Sequence, residues 1–150
     1  MIVKEGDILE SGYPDEEFDL IASPLFFHHL LKVGFEPFLK EFYRVLKTGG
    51  GLVIVEPSVW YPLNILTRPM KQILGNPCGE VEDEDPFRPG LMIKALRQSG
   101  FKNIRTRAAT FSHCSFFIPL AKFVNQFTKP FFNVWPFKYF GWIVIYWAEK

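Results

Sequence analysis

Two short runs hold the side chains best suited to chemistry: Gly6-Asp7-Ile8 and His28-His29-Leu30. A carboxylate that follows a short apolar run such as Ile2-Val3 lies at the carboxyl end of a strand, where open α/β sheets bind ligands. An imidazole titrates near neutrality, so His28 or His29 could act as a general base; the alternative is that the pair orders its loop. Adjacent residues project in different directions, which argues against a shared metal ion. His113 is distant, and Cys78 and Cys114 form no metal-type spacing, so no metal site is expected. Gly49-Gly50 follows a helical pattern and precedes a strand, the reverse of a phosphate-binding turn.

These residues need a scaffold, and the hydrophobic pattern supplies one. Phe18 to Ala22 reads as a strand, with Asp19 structural, and Ser23 and Pro24 follow at its carboxyl end. Phe35, Phe38, Leu39, Phe42, Val45 and Leu46 recur at helical spacing, predicting a helix over 35–46. Lys40, Glu41, Arg44 and Lys47 fall on its other face, and Gly49-Gly50 is expected to end it. Leu52 to Val55 is uninterrupted and apolar, as in a strand covered on both faces. Strand, helix, strand makes a crossover unit.

Residues 57–90 carry six prolines and an acidic run from Glu80 to Asp85, which reads as an irregular insert with one short helix near 62–74. Trp60 and Tyr61 could line a substrate pocket or pack the insert onto the body. A second helix is expected over 90–99, with Met92, Ala95, Leu96 and Ser99 inward and Gly100 closing it. Strands follow at 103–110 and 142–148. Between them, residues 111–141 hold nine of the 17 phenylalanines. Three uses fit: core beneath the last strands, lining for a hydrophobic substrate, or a membrane-surface contact with Lys122, Lys129 and Lys138 near head groups.

The order Gly6-Asp7, Phe18-Asp19-Leu20-Ile21-Ala22-Ser23, His28-His29-Leu30, Arg44-Val45-Leu46-Lys47-Thr48-Gly49-Gly50 and Leu52-Val53-Ile54-Val55-Glu56-Pro57 resembles the second half of a class I S-adenosylmethionine-dependent methyltransferase of the small-molecule type. Proline commonly stands where Thr48 does. The resemblance implies a Rossmann-like α/β sheet of order 3-2-1-4-5-7-6 with the seventh strand antiparallel. This chain would supply strands 3 to 7, strand 3 being residues 2–6, in one partial domain over 1–150 with a substrate cap at about 57–90. It further implies S-adenosyl-L-methionine as cofactor. Asp7 and Ile8 would lie at the adenine, Ser23 and Pro24 beside the methionine portion, His28 and His29 at the cofactor and substrate mouth, and Trp60 and Tyr61 over a small-molecule acceptor. The glycine-rich strand 1 and the ribose-binding acid of strand 2 are not in this sequence. Without them strand 4 would present an open edge, to be completed by a preceding segment or by a second chain in a homodimer.

Composition sets the remaining bounds. With 48% apolar and 22% charged residues the chain can bury a core. A net charge of +1 builds no field for nucleic acid. Free cysteines and no visible signal peptide lead to an expectation of a cytoplasmic protein. A non-catalytic α/β interaction module, or a vestigial methyltransferase pairing with another chain, is the competing reading. A nicotinamide oxidoreductase is disfavoured by the lack of Gly-x-Gly-x-x-Gly.

Overall fold

A computed structural model of the chain describes residues 5–64, 86–113 and 116–150. In chain order the elements are β1 (Phe18–Pro24), α1 (Glu36–Val45), β2 (Leu46–Pro57), α2 (Pro89–Gln98), β3 (Lys102–Thr110), α3 (Ile118–Thr128) and β4 (Ile143–Glu149). Short 3-10 turns stand at Ile8–Glu10, Phe27–His29, Lys129–Phe131 and Phe137–Tyr139.

The four strands form one sheet of order β1-β2-β4-β3, with β1 parallel to β2 and β4 antiparallel to both its neighbours. This is the 4-5-7-6 part of the expected order. The expected strand 3 falls on residues 2–6; positions 2–4 lie outside the described residues, and Glu5 and Gly6 are not in a strand. The predicted 62–74 helix and the acidic run 80–85 lie largely or wholly outside the described residues, as do Cys78 and Cys114.

The helix periodicity holds. Phe38, Leu39, Phe42 and Val45 of α1 are buried against the sheet, with Phe35 and Leu46 beside them. Met92 and Leu96 of α2 reach the same core, and Gly100 closes that helix in the left-handed region at φ +95°. Both helices cover one face, where Leu52, Ile54, Val144, Tyr146 and Ala148 are buried. The expectation that Leu52–Val55 is covered on both faces is therefore corrected. Val53 and Val55 point to the other face and are half-buried among the described residues.

The Gly49-Gly50 pair also behaves differently from a helix cap. The helix ends at Val45 because Leu46 turns to extended backbone and pairs at once with Phe18. The glycines sit in a bulge: Phe18 pairs with Leu46, but Leu20 pairs with Gly51, so β2 carries extra residues. Gly49 adopts φ +79° there. Gly51 lets β4 close over it, since a Cβ at that position would come 2.5 Å from Cη2 of Trp147.

The reading of residues 111–141 as core is corrected for most of the segment. Phe132 is buried, whereas Phe117, Phe123, Phe127, Phe131 and Phe137 are exposed and α3 buries none of its residues. The helix is tied to the sheet by polar bonds instead. Asn125 Oδ1 accepts from Thr110 Oγ1 at 2.8 Å and from the Phe111 N–H at 3.2 Å, and its Nδ2 donates to Ser112 Oγ at 3.0 Å.

Candidate functional site

The parallel pair β1 and β2 ends in a lip built around one carboxylate. Glu56, the penultimate residue of β2, is fully buried on the helix-covered face. Its Oε1 accepts the backbone N–H groups of Phe26 and Phe27 at 2.8 and 2.7 Å. Its Oε2 lies 2.7 Å from Nδ1 of His28. An ionised carboxylate can only accept, so Nδ1 carries the proton in this bond. Burying a carboxylate is costly unless its acceptor sites are satisfied, and here three donors converge on it.

The loop that Glu56 holds is also pinned from within. Phe27 is fully buried and meets Phe26, Phe35 and Phe42 edge-on, at ring-centroid distances of 5.4, 5.4 and 6.1 Å. Leu25 crosses the left-handed region at φ +52° and donates its N–H to the Val55 carbonyl at 2.8 Å. The chain thus turns sharply from β1 over the end of β2. His28 is buried, and His29 is exposed with its ring 4.1 Å from that of His28. On the adjacent strand, the Tyr146 hydroxyl is buried without a hydrogen-bond partner among the described residues. Burial pushes its pKa up, and the Glu56 charge adds to the effect.

The remaining residues of interest occupy three places. Ser23 and Pro24 are the last two residues of β1, Ser23 buried and Pro24 exposed, directly before the lip. Asp7 caps the turn Ile8–Glu10, its Oδ1 accepting the Leu9 N–H at 2.8 Å, while Ile8 packs against the core. Trp60 and Tyr61 follow β2 on its other flank. Tyr61 is buried, donates to the Phe111 carbonyl at 2.8 Å and stacks on His113. Its burial pushes the hydroxyl pKa up to about 12. Trp60 is half-exposed beside Tyr139 and Phe140. Asp19, at the opposite end of β1, is exposed and paired with Lys47 at 2.8 Å. Its carboxyl is held below the usual range by that bond.

The structure therefore brings Ser23, Pro24, His28 and His29 to one sheet edge around Glu56. It ties Tyr61 to Phe111 and His113 on the other flank. Glu56 is the residue that sequence reasoning passed over. Its signal was present as an acid ending an otherwise apolar strand, but its partners lie 28 to 30 positions away. No group of three or more metal-ligating side chains occurs among the described residues, and no helix there is long and apolar enough to cross a membrane.

Known proteins share this fold. The methyltransferase domain family matches residues 1–54, the stretch that runs from the N-terminus through β1 and α1 into β2. An S-adenosylmethionine-dependent methyltransferase from Thermotoga maritima superposes on 99% of this chain with a TM-score of 0.70 at 19% identity. One from Archaeoglobus fulgidus does so over 98% with a TM-score of 0.62 at 14% identity. A phosphoethanolamine N-methyltransferase from Haemonchus contortus, solved with phosphomonomethylethanolamine and S-adenosylhomocysteine, covers 96% with a TM-score of 0.54 at 15% identity. The chain spans 64%, 66% and 36% of the lengths of these three proteins. No curated protein sequence matches the chain. The fold is that of these S-adenosylmethionine-dependent methyltransferases, and residues 1–54 are similar to the methyltransferase domain family.

Proposed function

We propose that this chain corresponds to part of an S-adenosylmethionine-dependent methyltransferase acting on a small molecule, and that it holds half of the cofactor site. The observation that carries the reading is the coincidence of family match and geometry. The matched residues end inside β2, and the two parallel strands they form converge on the lip at Ser23, Pro24 and His28. Open α/β sheets bind ligands at that edge.

The residues present fit one side of the cofactor. Asp7 is exposed beside the partly buried Ile8, a pairing suited to an adenine amine and ring. Ser23 and Pro24 end β1 where the methionine portion would pass. No glycine-rich turn stands before Asp7 in this sequence, so the described residues offer no backbone cradle for the remainder. When bound, the cofactor supplies a methyl group already activated on a sulfonium sulfur. The protein then has to place the acceptor in line and, where needed, take a proton. His29, exposed and with its ring tilted against that of the anchored His28, suits that proton-accepting role. His28 acts as its support, locked by Glu56. Trp60 offers an apolar flank to the acceptor, and Tyr61 holds that flank to Phe111.

The open edge of β1 favours a second reading, a non-catalytic α/β module that pairs with another chain. Among the described residues β2 is the only strand paired with β1, and Leu20 is 55% exposed. Calorimetric titration with S-adenosylhomocysteine separates the two. The methyltransferase reading expects micromolar binding that Asp7→Ala weakens about tenfold, the usual worth of one charge-assisted hydrogen bond. A folded chain that binds no S-adenosylhomocysteine but forms a stable dimer would favour the module.

A further inference from the structure

The net charge of +1 hides a strong asymmetry. All but one of the 16 acidic residues lie in residues 1–85, the exception being Glu149. Residues 86–148 contain nine lysines and arginines and no aspartate or glutamate. Within that acid-free stretch lie α3 and the turns after it, where the apolar surface is concentrated. Phe123 and Phe127 are 58% and 64% exposed, and Trp135 is 76% exposed.

The placement of these groups is systematic. Phe123 and Phe127 are four residues apart on α3 and therefore share a face, with rings 4.4 Å between centroids. Asn125 bonds Thr110 and Ser112 and so holds the helix to the sheet, while the aromatic pair beside it stays exposed. Lys122 and Lys129 flank the pair. With Arg107 of the edge strand β3 they border a groove of about 790 Å³ between strand and helix. The helix has no fully buried residue and only half-buried ones such as Leu120, Ala121 and Val124 toward the body, so little of its apolar surface is packed against its own sheet.

We infer that α3 and the aromatic turns after it form a docking face for an anionic lipid bilayer. Phenylalanine and tryptophan side chains enter the interface while flanking lysines reach the head groups. The acid-free stretch is what commits the face to a negatively charged surface, since its basic groups gain there and it carries no carboxylate of its own. A second copy of the chain would instead bring two cationic faces together. The docking face is independent of the transferase reading. It also adjoins the site, because α3 leaves β3 and returns to β4 at the sheet edge that carries Glu56.

The test is sedimentation of the full chain with large vesicles of phosphatidylcholine alone or mixed with phosphatidylglycerol, at low and high salt. The proposal expects binding to the mixed vesicles, at least about tenfold weaker binding to neutral ones, and a loss of affinity in high salt. Phe123→Ser with Phe127→Ser, and separately Lys122→Glu with Lys129→Glu, should each lower affinity about tenfold or more, with circular dichroism unchanged because these side chains are exposed. Absence of vesicle binding by the folded chain overturns the proposal. So does binding that both double variants leave intact, or a concentration-dependent dimer that the phenylalanine variant dissolves while vesicle binding is nil.

Discussion

At the scale of the residue, Glu56 organises the candidate site. Its carboxylate takes two backbone N–H groups and the His28 ring, and Glu56, Phe27 and His28 are all buried. Removing it leaves buried donors with nothing to bond, which costs more than the bonds themselves contribute. Glu56→Ala should lower unfolding free energy by about 3 kcal/mol or more, the usual cost of breaking a buried pair from one side. His28→Ala should cost less, since the carboxylate keeps its two backbone donors. Urea unfolding of both variants checks the order. A Glu56→Ala change within about 0.5 kcal/mol of the parent, the range of ordinary surface substitutions, would show that the lip does not depend on this acid. The same variant should weaken S-adenosylhomocysteine binding if the lip positions Ser23 and Pro24.

At the scale of the element, what was legible depended on range in sequence. Helix α1 could be read because Phe38, Leu39, Phe42 and Val45 repeat with the helical period, a signal confined to one turn after another. Three strands could be read from their apolar runs, β1, β3 and β4 each within two positions of the observed bounds, whereas β2 begins at Leu46, six positions before the expected Leu52. The role of Gly49-Gly50 was misread because the bulge depends on how β2 registers with β1, which no local pattern contains. The Glu56 cluster and the Asn125 staple were invisible for the same reason, their partners lying 10 or more positions away. The exposed phenylalanines resembled core because composition records how apolar a segment is and not which way it faces. Asn125 gives this scale its prediction. Asn125→Ala removes the polar tie of α3 to Thr110, Phe111 and Ser112, at a cost of about 1–2 kcal/mol. Amide hydrogen exchange should then accelerate through Ile118–Thr128 while β2 and β4 keep their protection. Uniform acceleration throughout the sheet would mean that α3 is not a separately held unit.

At the scale of the whole molecule, the two ends of the sheet do different work. The carboxyl edge of β1 and β2 gathers the site, and the opposite end is locked by ion pairs. Arg44 donates to Glu41, to Asp15 and to the Tyr13 carbonyl. Lys47 pairs with Asp19, and Thr48 donates to Glu16. Lys150 donates to the Leu46 carbonyl at 2.7 Å, fastening the end of the chain over the junction of α1 and β2. The hydrogen bond from Arg44, with that from Ser11 behind it, holds the Glu41 carboxyl below its ordinary value of 4.5 against the opposing effect of burial. Glu16 and Asp19 are lowered as well, by Thr48 with Lys150 and by Lys47. A carboxyl whose folded pKa is depressed contributes stability that is fully present above its unfolded value. That contribution is lost as pH falls through the folded value. The chain should therefore lose stability as pH falls below about 4.5, through protonation of this end of the sheet. Arg44→Met should lower stability at neutral pH and flatten that acid limb, because Glu41 then titrates nearer its ordinary value. Unfolding free energies of both proteins between about pH 3 and 7 make the comparison. An acid limb as steep in Arg44→Met as in the parent would assign the loss to carboxylates elsewhere in the molecule.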